Sequence, residues 1–167
     1  MHRRTFLTAA AASGMAALLS ACVPMTGGEA SPDDLMNKMS AMPDLSTFVA
    51  ALTAAGLSDR LHTGGPYTVF APTNAAFARL GKGRVDALMA PANKGQLAAI
   101  LSHHIARGSF TAAMLQGQKL EMATLGQKTL LVDGKGGLSV DRVRVGGTEV
   151  DASNGVIFTL DRVLMQP

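Results

Sequence analysis

Four sets of side chains have types and spacings that could carry chemistry. They are the contiguous Ser102-His103-His104, the methionines Met36, Met39 and Met42, the arginines Arg142 and Arg144, and the single cysteine, Cys22. Serine beside histidine suggests nucleophilic catalysis, but a triad needs side chains that converge. His103 to Ala106 reads as a short extended segment, on which successive side chains point to opposite faces. That alternation argues against a triad. It also keeps His103 and His104 from meeting on one metal ion with His62, so no metal site is expected from histidine. Met36, Met39 and Met42 recur every third residue, and thioethers bind soft Cu(I), which makes copper one reading of that repeat. The competing reading is that methionine fills an irregular helix-on-core surface, which its flexible side chain does well. Arg142 and Arg144 are expected on one face of a strand, opposite Val143 and Val145. With a single tyrosine in the chain, that face reads as solvated rather than as a nucleic-acid surface, which would use aromatic stacking. No Gly-x-Ser-x-Gly elbow, His-Glu-x-x-His pair, P-loop or dinucleotide glycine fingerprint occurs after residue 21. Neither an enzyme nor a cofactor is expected.

Cys22 closes the N-terminal segment. Arg3-Arg4 followed by Phe6 and Leu7 has the spacing of a twin-arginine export signal, although His2 and Thr8 depart from its usual pattern and the general secretory route is an alternative. An uncharged, alanine-rich stretch follows from Thr5 to Ala21, short and weakly apolar for a permanent membrane span. It ends in Leu19-Ser20-Ala21-Cys22, which resembles a bacterial lipobox, where the cysteine thiol receives a diacylglycerol. An ordinary cleaved signal is the other reading, and the position of the sole cysteine favours lipidation. Residues 1–21 are thus expected to be a signal peptide and 22–30 a lipidated flexible tether containing Pro24 and the Gly27-Gly28 pair. Residues 31–167 form the domain.

Those 137 residues suit one hydrophobic core. The chain is 47% hydrophobic and 16% charged, which excludes a disordered protein, and one cysteine excludes a disulfide framework. Removing residues 1–21, which hold Arg3 and Arg4, leaves 13 basic against 12 acidic side chains, so net charge alone demands no nucleic acid.

The elements that must position the candidate residues follow from periodicity. Ser31-Pro32-Asp33-Asp34 predicts a helix start, with Ser31 as cap and Pro32 in the first turn. Leu45, Phe48, Val49 and Leu52 predict a second helix, closed by Gly56. Tyr67–Ala71 predicts a strand stopped by Pro72, and Thr73 is expected to cap the next helix, with Asn74 bonding its own backbone. Short helices are expected around Val85–Met89, Gln96–Ser102 and Phe110–Leu115. Beyond them, 119–124, 128–133, 137–140, 142–145, 149–152 and 155–164 read as strands, with Asn154-Gly155 supplying the positive-φ positions of a tight turn. Asp161 and Arg162 are expected at adjacent strand positions, facing opposite ways. Helices in the first half and strands in the second argue for an α+β fold.

Three segments together resemble the fasciclin domain family: Tyr67 to Phe77, Leu101 to Gly108 and Asn154 to Leu164. The resemblance implies a wedge of β-sheets with helices packed on one side, and a role in adhesion or binding. It singles out Thr73, Asn74, His103, His104, Asn154, Gly155 and Asp161 as motif residues, structural or interacting. It places His104 inward and leaves His103, which stands where the family usually has tyrosine, facing outward. Phe158 replaces a frequent histidine, and no Asp-Ile pair supports integrin binding. The expected protein is an extracytoplasmic bacterial lipoprotein, a non-catalytic adhesion or binding module. Its membrane, outer by the absence of Asp after Cys22, is reached through the lipid, and its partner is a protein or glycan of the envelope. The alternative function is a small-ligand or copper-binding protein of the same compartment.

Overall fold

The computed structural model describes residues 31–165. The expectations for Arg3, Arg4, Phe6, Leu7, Cys22 and the tether lie outside those residues. Helices come first, as the periodicity requires. The first helix, α1 (Leu35–Ser40), starts later than expected, because its cap is Asp34 rather than Ser31. The Asp34 carboxylate accepts from Asn37 N–H at 2.8 Å and lies 2.7 Å from His62 Nδ1. A 3-10 turn (Pro43–Leu45) leads into α2 (Ser46–Ala55), which Gly56 ends in the left-handed conformation at φ 75°. Leu45, Phe48 and Leu52 are fully buried, each contributing about 1.5–3 kcal/mol by leaving water. A short α3 (Ser58–Thr63), not foreseen from the sequence, carries buried Leu61.

The central strand β1 (Tyr67–Pro72) is followed by α4 (Asn74–Leu80), α5 (Lys82–Met89) and α6 (Lys94–His103), and then by β2 (Ile105–Arg107) and α7 (Ala112–Leu115). The remaining strands are β3 (Lys119–Ala123), β4 (Thr129–Asp133), β5 (Ser139–Val140), β6 (Val143–Ala152) and β7 (Gly155–Leu160). They form a seven-stranded sheet in the order β2-β1-β7-β6-β5-β4-β3. Only β1 and β7 run parallel, Tyr67 opposite Gly155 through Pro72 opposite Leu160. The outer strands approach each other: Ala106 on β2 bridges Thr124 just past β3, and Leu125 N–H donates to Ile105 O at 2.9 Å. The sheet thereby curls almost onto itself, which covers two edges that would otherwise be open to other chains.

Two cores result. One lies between helices and sheet, built on Phe48, Leu52, Val69, Ala71 and Ile157; the other fills the curled sheet with Phe70, Phe158, Val132 and Leu160. Alternation along β1 and β7 sends one set of side chains to each core, so β7 is buried throughout its length. Phe70 and Phe158 stack with centroids 5.6 Å apart. Phe158 thus fills an apolar interior.

Several expected boundaries move. The segments 142–145 and 149–152 belong to one strand, β6, whose pairing with β7 shifts register between Val145 and Glu149. Arg142 lies outside it. Val140 pairs with Val143, so Asp141-Arg142 is a two-residue hairpin turn, with φ of 46° and 67°. Asp161 and Arg162 follow the end of β7 in a bend, rather than occupying strand positions.

Candidate functional site

Most of the motif side chains hold the fold together. Thr73 caps α4, its Oγ1 accepting from Ala76 N–H at 3.3 Å, and its own N–H donates to Leu160 O at 3.1 Å. Asn74 does not bond its own backbone. Its Oδ1 accepts from Thr47 N–H at 3.0 Å and its Nδ2 donates to Pro43 O at 3.0 Å, clamping α4 to the start of α2. Asn154 likewise uses its side chain over long range. Its Oδ1 accepts from Leu35 N–H at 2.9 Å, and its Nδ2 donates to Leu61 O at 2.7 Å and Gly64 O at 2.9 Å. One amide therefore satisfies the start of α1 and the end of α3, where orphan backbone groups need partners. Asn154 does sit in the two-residue Ser153-Asn154 turn between β6 and β7, but it is not among the residues with positive φ, so the expected positive φ is corrected for Asn154 while Gly155 keeps it. Gly155 is required by close approach: a Cβ there would fall on the Tyr67 carbonyl oxygen.

The two histidines lie at the end of a helix, not on an extended segment. His103 is the last residue of α6 and His104 its C-cap. A helix turns the chain by 100° per residue rather than alternating it, so both can point inward, and both are buried, at 2% and 0% exposure. The expectation that His103 faces solvent is thereby corrected; that for His104 holds. His104 Nδ1 donates to Ile100 O at 2.8 Å and its Nε2 accepts from Leu164 N–H at 2.9 Å. These bonds fix a neutral imidazole that ties the C-terminal segment to α6. Burial pushes its pKa down from 6.5 to about 4, with His103 adding to the shift and the Ile100 carbonyl opposing it. His103 Nε2 lies 3.1 Å from Asp141 Oδ2, while Asp141 Oδ1 accepts from Leu131 N–H at 3.1 Å. The pair fastens the β5–β6 turn to α6.

Met36 and Met39 are core residues, at 5% and 0% exposure, and Met42 packs against the same cluster. Their thioethers fill space between helices, so the repeat reads as packing rather than as a copper site. Among the described residues no group of three His, Cys, Asp or Glu side chains is placed to hold a metal ion.

Polar groups left facing solvent gather at the other end of the molecule. Arg79 of α4, Arg142 of the hairpin turn, Arg144 of β6 and Arg162 beyond β7 line one groove of about 260 Å³, together with Val143 and Asp161. All four guanidiniums belong to exposed residues. Among the described residues none has a carboxylate within 4.0 Å, and Arg79 Nη1 instead donates to the Asp161 backbone oxygen at 3.2 Å. Arg142 continues into a groove of about 490 Å³ with Lys128, Thr129 and Asp141. Arg142 and Arg144 also border one of about 480 Å³ that includes Asp133 and Lys135. Planar, always-charged donors of this kind suit carboxylate, sulfate or phosphate oxygens.

Sequence reasoning noted Arg142 and Arg144 as a solvated face but missed Arg79, Arg162 and Asp141. Arg79 and Arg162 reach the groove only because β1 and β7 are parallel neighbours ending side by side, a pairing that no local pattern announces.

The model of the family described as Fasciclin domain matches residues 43–166. The protein sll1483 of Synechocystis is 46% identical over 123 residues, covering 73% of this chain and 67% of that protein. The cell surface glycolipoprotein MPB83 of Mycobacterium bovis is 33% identical over 145 residues, with 81% of this chain and 61% of that protein covered. Among solved structures, a FAS1 domain pair from the insect cell adhesion molecule Fasciclin I superposes with a TM-score of 0.71 at 17% identity. It covers 80% of this chain and 51% of that one.

Proposed function

Since the chain belongs to the fasciclin domain family, we propose that it is a non-catalytic adhesion or binding module held at the bacterial cell envelope as a lipoprotein. The family is one of adhesion and cell-surface modules, and two of the proteins compared above, MPB83 and Fasciclin I, carry names of that kind. The observation that carries the reading is the division of polar groups. His104, Asn74 and Asn154 have their side-chain bonds filled by the protein itself, whereas the guanidiniums of Arg79, Arg142, Arg144 and Arg162 face solvent without carboxylate partners. Such a molecule is built to present a surface rather than to turn over a substrate.

Export through the Arg3-Arg4 signal and lipidation of Cys22 deliver the domain to the membrane, and residues 22–30 are its tether. A name such as cell surface glycolipoprotein, borne by MPB83, accords with this. Acyl chains anchor a protein at about 0.8 kcal/mol per buried methylene, and more than one chain makes the anchoring stable. Val23 follows Cys22 where Asp marks inner-membrane retention in enteric bacteria, so the outer membrane is the expected location. In fractionated cells Cys22→Ser should leave the membrane fraction or accumulate as unprocessed precursor. Unchanged processing with unchanged membrane partitioning would overturn the anchoring.

A further inference from the structure

We infer that the run of arginine-lined grooves along the β5–β6 hairpin is a binding surface for a linear acidic polysaccharide. This names a partner class for the adhesion module proposed above and rests on that reading for its location in the envelope.

Three features of the surface carry the inference. The first is charge without ion-pair partners. Residues 22–167 are almost neutral in sum, yet Arg79, Arg142, Arg144 and Arg162 converge on one groove and none makes an ion pair among the described residues. Asp161 lies within that groove, but not within 4.0 Å of any of the four guanidiniums.

The second is the backbone beneath Arg142. A turn with both central residues at positive φ ordinarily takes Asn-Gly or Gly-Gly, because a Cβ is strained there. Asp141 tolerates φ 46° with its carboxylate held by Leu131 N–H and by His103. Among the described residues the side chain of Arg142, at φ 67°, makes no ion pair or hydrogen bond that would compensate. Glycine would fit that position better, so an arginine at the hairpin tip stands against local backbone preference.

The third is the shape and lining. The three grooves share Arg142 in their linings and two of them also share Arg144, so they adjoin at the hairpin, which suits a chain carrying several anionic groups. No Phe, Tyr or Trp side chain lines any of them, and the one imidazole, that of buried His103, faces Asp141. Single-stranded nucleic acids are held largely by stacking on Phe, Tyr or Trp, which these grooves do not supply. Ser153 N–H donates to Asp33 O at 2.8 Å, so the described chain begins beside the start of β7. The arginine groove lies beyond the other end of that strand, about 20 Å away at the usual strand rise. The groove and the start of the described chain thus lie towards opposite ends of β7.

The test uses the full chain purified in neutral detergent, with immobilised polyuronate, neutral dextran and polyglutamate as probes. The expected result is binding to polyuronate that weakens with added salt, little binding to dextran, and weaker binding to polyglutamate. Arg142→Gly should bind polyuronate about tenfold more weakly, the loss expected for one charge-assisted contact, while melting no lower than the parent. Arg142→Gly with Arg144→Gln should weaken it further, and Lys38→Gln on α1 should leave it unchanged. Undiminished polyuronate binding by the double variant, or no polyuronate binding by the parent, would overturn the inference. Tighter binding of polyglutamate would replace the polysaccharide with an acidic protein. None of these outcomes touches the membrane fractionation, so failure here is distinguishable from failure of the anchoring.

Discussion

The two ends of β7 show opposite treatments of polar side chains. At its start, Asn154, Asp34 and His62 lie among helices α1 and α3, and each polar atom of the Asn154 amide has a partner within the protein. Past its end, arginines from α4, the hairpin turn, β6 and the final bend share a groove and leave their guanidiniums free of carboxylates. A buried polar group that lost its partner would be penalised by about 1–3 kcal/mol, so the first region must be complete to be stable. Exposed arginines bear no such penalty, because water solvates them until a ligand replaces it. Motif residues with strong chemical character can thus be architectural, while the surface available to a partner is built from residues that no motif marks.

The comparison is broken most severely by adding one methyl group at the first end. In Gly155→Ala the new Cβ would collide with the Tyr67 backbone oxygen, in the register where β1 and β7 pair. Backbone cannot yield as a side-chain tip can, so the variant should lose more than about 4 kcal/mol, visible as loss of cooperative thermal unfolding. A melting temperature near that of the parent would mean the parallel pair adjusts freely.

His104 sharpens the same contrast through pH. Its folded pKa is lowered to about 4 from 6.5. Between these values the unfolded chain binds a proton that the folded one excludes, so this residue's contribution is intact above pH 6.5 and declines as pH falls towards 4. The loss amounts to roughly 3 kcal/mol over that window. His104→Ala should be destabilised at neutral pH by a few kcal/mol, since Leu164 N–H and Ile100 O lose their partner. Its stability should also fall less steeply than the parent's between pH 6.5 and 4, as measured by denaturant titration. Parallel pH profiles would indicate that His104 takes up its proton without disturbing the fold. Thr73→Ala, which removes a cap and nothing buried, should lose about 0.5–2 kcal/mol. Loss of partner binding at an unchanged melting temperature would instead move that bend from the architectural region to the interacting one.

Legibility in the sequence followed the range of the interactions. Leu45, Phe48, Leu52 and Gly56 gave α2 and its cap, and Tyr67 to Ala71 gave β1, because side-chain period and termination are local properties. Together with the β-branched runs after residue 119 they made the α+β class readable. The stretch around His103 and His104 was misread as extended, since a short apolar run suits helix and strand equally and the helix ends within it. Asn154 was read only as a local turn former because its bonds go to Leu35, Leu61 and Gly64, far away in sequence. Asp141-Arg142 lacks the glycine or asparagine that marks a two-residue hairpin, so it passed for strand. The arginine groove was illegible as a unit, because its members meet only through the β1–β7 and β6–β7 pairings.

The central claim is that the protein spends stability at the hairpin tip and nowhere gains it from the Arg142 side chain. Thermal denaturation of Arg142→Gly tests this most directly, since it removes the guanidinium and relieves the left-handed strain together. The account predicts a melting temperature equal to or above the parent's, with a gain of up to about 1 kcal/mol. A loss of more than about 1 kcal/mol would contradict it, placing Arg142 among the residues that hold the fold.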